Sequence, residues 1–242
     1  MNSHYREAYP DCRYGIGYTQ DPYVRQRYQI AVKLLHPYLR SGTTILDIGG
    51  YSGDILELLP EGVKYCCIDI DKKALELAKK RGAITKVVDL DYEPLHLEGE
   101  LFNIIMCIEV LEHLKNPGRI LEQIPNLLIH DGIVLISLPN ENTIYHRILS
   151  LLGFGLDQEA FNIGKHLHFP TIKQSRVFLS RYFSIFNHQY YISISGRDSK
   201  IQKISFIFKL LPDRFWYFLA RVWPSLFARG TIFSCRPKKQ CF

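Results

Sequence analysis

No stretch of this 242-residue chain approaches the roughly 18 consecutive apolar residues that a membrane-crossing helix needs. The first residues, MNSHYREAYPDCRYG, are polar and carry no apolar core, so a secretory leader is not expected. None of the six cysteines is spaced as a CxxC pair. Cys66, Cys67, Cys107 and Cys235 fall inside strand-like apolar runs, where thiols act as small buried hydrophobes. A disulfide framework and a zinc ribbon are thereby set aside, and a reducing, cytoplasmic setting is expected. No GxGxxG follows any apolar run, which argues against a dinucleotide pyrophosphate held on a helix terminus. Internal repeats and low-complexity segments are absent too. Acidic residues are scarce at one end only: residues 195–242 hold ten Lys/Arg against two Asp/Glu, a balance of +8, which leaves the rest of the chain at −2 of the total +6.

What is present is the composition of a globular domain, 47% apolar and 22% charged. One domain over 1–242 is expected, with its core in 21–194 and 230–238. Asp21 and Pro22 start a helix that Val24, Tyr28, Ala31, Val32, Leu35 and Tyr38 pack by one face, with a bend at Pro37. Strands are expected over 43–48, 65–69, 84–88, 102–107, 133–138, 184–192 and 231–235. A short helix capped by Ser52 follows the first strand and stops at Pro60. A second helix, capped by Asp71 and ended by Gly82, follows the next. Others are expected from Glu109 onward, restarted at Pro117, and from Thr171. Strands alternating with helices at this spacing predict an α/β fold, a doubly wound, mostly parallel seven-stranded sheet, with a helical insertion at 195–229 before the last strand. In such a sheet Asp47, Asp69, Asp89, Cys107 and Asn140 come to one edge.

The most informative stretch is ILDIGGYSG, residues 45–53, with Asp69 twenty positions after Gly49. An apolar strand enters a glycine-rich turn, and a second strand ends in a carboxylate, the arrangement that holds an adenosine-bearing cofactor. The glycines are Gly49, Gly50 and Gly53, with Tyr51 at the tightest point. A cofactor without phosphate fits that spacing better than NAD does, which favours S-adenosylmethionine.

On these residues the chain resembles the class I S-adenosylmethionine-dependent methyltransferases, with their Rossmann-like fold. ILDIGGYSG is similar to the family's first motif, CIDID (67–71) to its second and VVDLDYEPL (87–95) to its third. FNIIMCIEVLEHL (102–114) with SLPN (137–140) resembles the subgroup of ubiquinone-biosynthesis O-methyltransferases and sugar or glycan methyltransferases. The resemblance implies that Asp47, Gly49, Gly50 and Gly53 cradle the methionine part and that Asp69, beside Ile70, binds the ribose hydroxyls. It also implies that Asp89 and Leu90 take the adenine and that the backbone at Cys107 and Ile108 approaches the cofactor's amino group. Tyr51 replaces a family glycine and either lies over the cofactor or fills its pocket. Asp69 and Asp89 also have a local alternative, capping the following turn.

Glu109, Glu112 and His113 stand at i, i+3 and i+4, so a helix would place them on one face beside the methyl group. The segment KHLHF (165–169) is expected to fold back over the same edge. Glu109, Glu112, His113 and His166, with His168 as a lesser candidate, can hold a divalent metal such as Mg or Mn. EVLEH with the later His166 also resembles the metal site of small-RNA 3′-terminal 2′-O-methyltransferases. The metal-free alternative makes His113 a general base. In a third reading Glu112 and His113 only pair locally.

The tail carries Trp216 and Trp223, seven apart and so expected on one face of a helix begun near Pro212, with Phe215, Phe218, Leu219, Phe227, Arg214, Arg221 and Arg229 around them. Either residues 203–229 touch an anionic membrane or a lipid-linked substrate, or they form a lid over the sheet. Nucleic-acid binding ranks below both, since no recognition motif is present. The leading function is therefore methyl transfer to the hydroxyl of a small-molecule, glycan or lipid-linked acceptor. The alternatives are an RNA terminal 2′-O-methyltransferase and a non-catalytic S-adenosylmethionine-binding regulator.

Overall fold

Side chains of the nearly continuously buried central strands alternate between two helical layers. In β1 (Thr44–Ile48), Ile45 faces one layer while Leu46 and Ile48 face the other. The computed structural model describes residues 22–97, 99–154, 166–192 and 212–238. One sheet has the order β3-β2-β1-β4-β5-β7-β6. It is built from β2 (Lys64–Asp69), β3 (Ile84–Val87), β4 (Phe102–Ile108), β5 (Leu128–Pro139), β6 (Phe183–Tyr191) and β7 (Gly230–Pro237), with β1 near its centre. The pairs β1–β2, β2–β3, β1–β4 and β4–β5 are parallel, whereas β7 runs antiparallel between β5 and β6.

One face of the sheet packs on α1 (Pro22–Leu35) and α2 (Lys72–Lys80) through Ala31, Leu35, Leu75 and Ala78. The other packs on α3 (Pro117–Gln123) and α5 (Ile172–Leu179) through Ile120, Leu121 and Leu179. Caps agree with the sequence: Asp71 accepts from the N–H groups of Lys73 and Ala74, and Thr171 forms a capping box with Gln174. Above the sheet, α4 (Ile144–Leu151) packs Leu149 against Trp216 of α6 (Asp213–Val222), and α7 (Pro224–Phe227) adds Phe227. Cys66, Cys67, Cys107 and Cys235 are free and buried, as their apolar surroundings predicted; Cys12 and Cys241 lie outside the described residues.

Four expectations are corrected. The helix after β1 is a single 3-10 segment, Asp54–Leu58, and its cap position is Gly53 in the left-handed region, not Ser52. Ser52 instead donates its hydroxyl to Asp54. The bend at Pro37 is a separate 3-10 turn, His36–Tyr38. Glu109 is not helical: its φ is 55°, and only Leu111–His113 form a 3-10 turn. The two tryptophans do not share a face. Trp216 is buried, whereas Trp223 closes α6 and is 59% exposed. Part of the expected 195–229 insertion, residues 195–211, lies outside the described residues, as do Asp21 and Lys165.

Candidate active site

Chain order reverses between β1 and β4: β2 and β3 extend the sheet to one side of β1, β4 and β5 to the other. Ligands of open α/β sheets bind in the crevice that such a reversal leaves at the strands' carboxyl ends. Here that crevice is bounded, in sheet order, by Asp89, Asp69, the Gly49–Gly53 turn and Ile108–Glu109.

The turn is tightly packed. Gly49 (φ 70°) and Gly53 (φ 66°) adopt left-handed backbone. A Cβ on Gly49 would collide with Val110 Cγ2, and one on Gly50 would lie 2.7 Å from Asp47 Cγ. Tyr51, also left-handed at φ 50°, donates its N–H to Asp69 Oδ2 at 3.0 Å. The Asp71 N–H donates to Asp69 Oδ1 at 2.9 Å, so both oxygens are oriented by flanking backbone. The local role foreseen for Asp69 thus exists. A carboxylate offers about four lone-pair sites, so two hydroxyl donors can still be accepted. Burial raises the Asp69 carboxyl, and these N–H groups oppose it. Asp47 lies beneath Gly50 and accepts the Tyr65 hydroxyl; burial pushes its carboxyl up to about 7 against that hydrogen bond. Asp89 accepts from the Asp91 N–H at 3.1 Å, and Leu90 is buried beside it. Ile70 bridges Asp69 and Asp71, half-buried. Cys107 is interior to β4, in register with Ile48 and Ile136, so the backbone at the crevice belongs to Ile108 and Glu109. Asn103 serves the far end of that strand, accepting the Thr44 N–H and hydroxyl at 2.8 Å each.

The second half of the site is assembled by a docked loop. The Leu167 and His168 N–H groups both donate to the Glu112 carbonyl, at 2.8 and 3.1 Å, and His168 Nε2 lies 2.8 Å from the Leu114 carbonyl. The fold-back predicted for this segment therefore brings His166 to His113, ring centroids 4.7 Å apart and edge to face. One ligand atom each from Glu112, His113 and His166 lies within 4.8 Å of the others. Glu112 is fully buried; among the described residues neither carboxylate oxygen has a hydrogen-bond partner, and His113 Nε2 lies 4.0 Å from its Oε1. Burial, reinforced by the Glu109 charge, raises its carboxyl well above the usual range. Such an orphaned carboxylate facing two imidazoles fits a divalent cation, which would supply the missing partner.

Glu109 does not join this trio. Its Oε1 accepts the Ser137 and Tyr191 hydroxyls, each at 2.6 Å, and its Oε2 pairs with Arg27 at 3.0 Å. These contacts turn it to the left-handed backbone, and the one-face argument fails for that reason. Sequence reasoning also missed Glu141, which is buried beside His166, Arg229 and His146. Its only signal was its place directly after Asn140. Asn140 itself anchors the tail, donating to the Ser225 and Ala228 carbonyls at 3.1 and 2.9 Å.

This sheet order, with acidic strand ends and a glycine turn at its reversal, defines the class of Rossmann-like transferases. The methyltransferase-domain family matches residues 21–182, and the chain belongs to it. The chain is similar to the ubiquinone biosynthesis O-methyltransferase of Neisseria meningitidis serogroup C (strain 053442), 31% identical over 115 residues that cover 44% of this chain and 48% of that protein. It is similar also to the Glaesserella parasuis serovar 5 (strain SH0165) protein of the same name, 34% identical over 147 residues, 56% of this chain and 61% of that protein. It thus spans about half the length of the curated relatives it matches. Among solved structures, the N-methyltransferase NodS of Bradyrhizobium japonicum WM9, in complex with S-adenosyl-L-homocysteine, superposes with a TM-score of 0.59 at 14% identity, covering 98% of this chain and 100% of that one. The magnesium protoporphyrin IX methyltransferase of Synechocystis PCC 6803, with the same ligand, superposes with 0.59 at 15% identity, covering 97% and 93%. At these identities the likeness concerns the fold.

Proposed function

We propose that this chain transfers the methyl group of S-adenosylmethionine to a hydroxyl of a small-molecule acceptor, with a lipid-linked or glycan-bearing acceptor as the class its surface suits. The observation that carries the reading is the order of groups along one crevice: Asp89, Asp69, the glycine turn, then the Glu112–His113–His166 trio one loop beyond β4. In this reading Asp89 and Leu90 meet the adenine, Asp69 the ribose hydroxyls, and Asp47 with the Gly49–Gly53 backbone the methionine end. Tyr51 orients Asp69 and covers the cofactor. The methyl–sulfur bond breaks as the oxygen–methyl bond forms in line, so the protein's work is alignment and removal of the hydroxyl proton. Glu112, His113 and His166 would hold a divalent cation, which when bound lowers the pKa of the acceptor hydroxyl. Glu109 clamps the trio's supporting strand through Arg27 and Tyr191.

The acceptor side is favoured by the tail. Phe215, Phe218 and Val222, at i, i+3 and i+7 of α6, and Trp223 are exposed, flanked by exposed Arg214 and Arg221. No helix among the described residues is long and apolar enough to cross a membrane. An interfacial position on anionic lipid is the form of membrane contact this face supports.

Calorimetric titration with S-adenosylhomocysteine, followed by labelled methyl transfer into extract fractions with and without chelator, tests the reading. Binding, and transfer that chelator removes and Mn²⁺ restores, is expected. Absence of binding overturns it, and tighter binding by Tyr51→Gly would favour a regulator whose pocket Tyr51 fills. Transfer that survives chelator would make His113 the general base instead.

A further inference from the structure

Glu141 follows β5 directly, and none of the roles above requires it. Its carboxylate is buried, 7% exposed, yet three nitrogen-bearing side chains converge on it. His166 Nδ1 lies 2.8 Å from Oε1, while Arg229 and His146 Nε2 lie 3.6 and 3.9 Å from Oε2. The other nitrogen of His146 lies 2.9 Å from the Thr143 hydroxyl. The backbone carrying Glu141 is tied to the loop carrying His166, because the Glu141 N–H donates to the Pro170 carbonyl at 3.1 Å. Burial acts to raise the Glu141 carboxyl, but the His166 contact and the Arg229 charge outweigh it and lower it to about 2.

A carboxylate oxygen 2.8 Å from Nδ1 favours a proton on that nitrogen, although the two are not aligned as a hydrogen bond. In a neutral imidazole the lone pair then resides on Nε2. His166 meets His113 edge to face at 4.7 Å, and a ligand nitrogen of the ring lies within 4.8 Å of the ligand atoms of Glu112 and His113. A carboxylate behind a working histidine sets both its tautomer and its orientation.

We propose that Glu141 is the positioning residue of the site: its carboxylate fixes His166 as the Nδ1–H tautomer and leaves the Nε2 lone pair for the cluster with Glu112 and His113. The purpose assigned to that lone pair rests on the function proposed above, but the tautomer does not. Arg229 and His146, on the other carboxylate oxygen, keep Glu141 from turning away. They also bring the residue before β7, and α4, into the support of one imidazole.

The test is a long-range ¹H–¹⁵N correlation of the histidine rings in the full chain, metal-free at mildly alkaline pH. The His166 signals are assigned by their loss in His166→Asn. The Nδ1–H pattern is expected in the unmodified protein, a shift to Nε2–H or a mixture in Glu141→Ala, an intermediate pattern in Glu141→Gln, and restoration in Glu141→Asp. Should Glu141→Ala fail to fold, the Gln and Asp variants carry the comparison. An Nε2–H or doubly protonated His166 in the unmodified protein overturns the proposal, as does a pattern unchanged in folded Glu141 variants. Mn²⁺ calorimetry on the same samples should show affinity about tenfold or more weaker in Glu141→Gln. If the unmodified protein binds no Mn²⁺, the metal reading fails while the tautomer measurement still decides the role of Glu141.

Discussion

Asp47 shows how much a single buried acid at the strand edge is made to do. Burial raises its carboxyl to about 7, the Tyr65 hydrogen bond opposes this, and the Asp69 charge adds to it. In the unfolded chain the same group titrates near 3.8. Between those values the folded protein holds a proton that the unfolded chain has lost. This contribution to stability is therefore fully present below about pH 4 and is lost as pH rises through 7. The shift corresponds to at most about 4 kcal/mol. Urea midpoints should fall between pH 5 and pH 8, and Asp47→Asn should remove that part of the slope; an unchanged slope would show that Asp47 is not the titrating group. Asp47, Asp69 and Asp89 were legible in the sequence because apolar patterning fixes where a strand ends, and chain order then fixes which edge the ends share. Glu141, Tyr191 and Arg229 were not, because each works through a partner distant in sequence. Tyr191 reaches Glu109 across 82 positions, over Gly230, where any Cβ would overlap its hydroxyl.

At the scale of elements, the two segments that bear the chemistry are the two that depart from regular structure. The stretch from Glu109 to His113 has helical spacing, yet Ser137 Oγ accepts the Glu109 N–H at 3.0 Å and Arg27 and Tyr191 capture its carboxylate. Tertiary contacts of this strength override a local propensity worth tenths of a kcal/mol per residue. The glycine turn is legible as a turn, but not its packing partner. Val110 sits against Gly49 and belongs to the motif that follows β4, so the two motifs constrain one another. Gly49→Ala should cost about 3 kcal/mol, from left-handed backbone and overpacking together. In a Val110→Ala background it should cost about 1 kcal/mol, the backbone contribution alone. Chemical denaturation of the four proteins measures this, and equal costs in both backgrounds would show that the contact with Val110 is not tight.

For the whole molecule, the same side chains that shape the crevice also fasten the outer elements to the sheet. Arg27 of α1, Ser137 of β5 and Tyr191 of β6 meet on Glu109, so α1 and the antiparallel edge are both secured at the site. A double-mutant cycle with Arg27→Ala and Glu109→Gln should give a coupling of about 1–3 kcal/mol in urea unfolding, and additivity would dissolve the clamp. The tail is fastened by Asn140 and Arg229 and leaves α6 with one face inward and one outward. Trp216 and Ala220 are the inward residues, with Trp216 against Leu149. The outward half is a different set, Phe215, Phe218, Val222 and Trp223, and it lies in the segment 195–242, where ten Lys/Arg face only two Asp/Glu. A membrane test must therefore spare Trp216, whose loss would open the core. Phe218→Asp with Trp223→Asp leaves the inward face intact and removes the apolar anchor. The unmodified chain should co-sediment with phosphatidylglycerol–phosphatidylcholine vesicles and not with phosphatidylcholine alone. Added salt should weaken the association, because the arginines act through screened charge. The double variant should lose it while its thermal unfolding is unchanged. Equal binding to both vesicle types would remove the charge argument, and binding retained by the double variant would place the contact elsewhere on the tail.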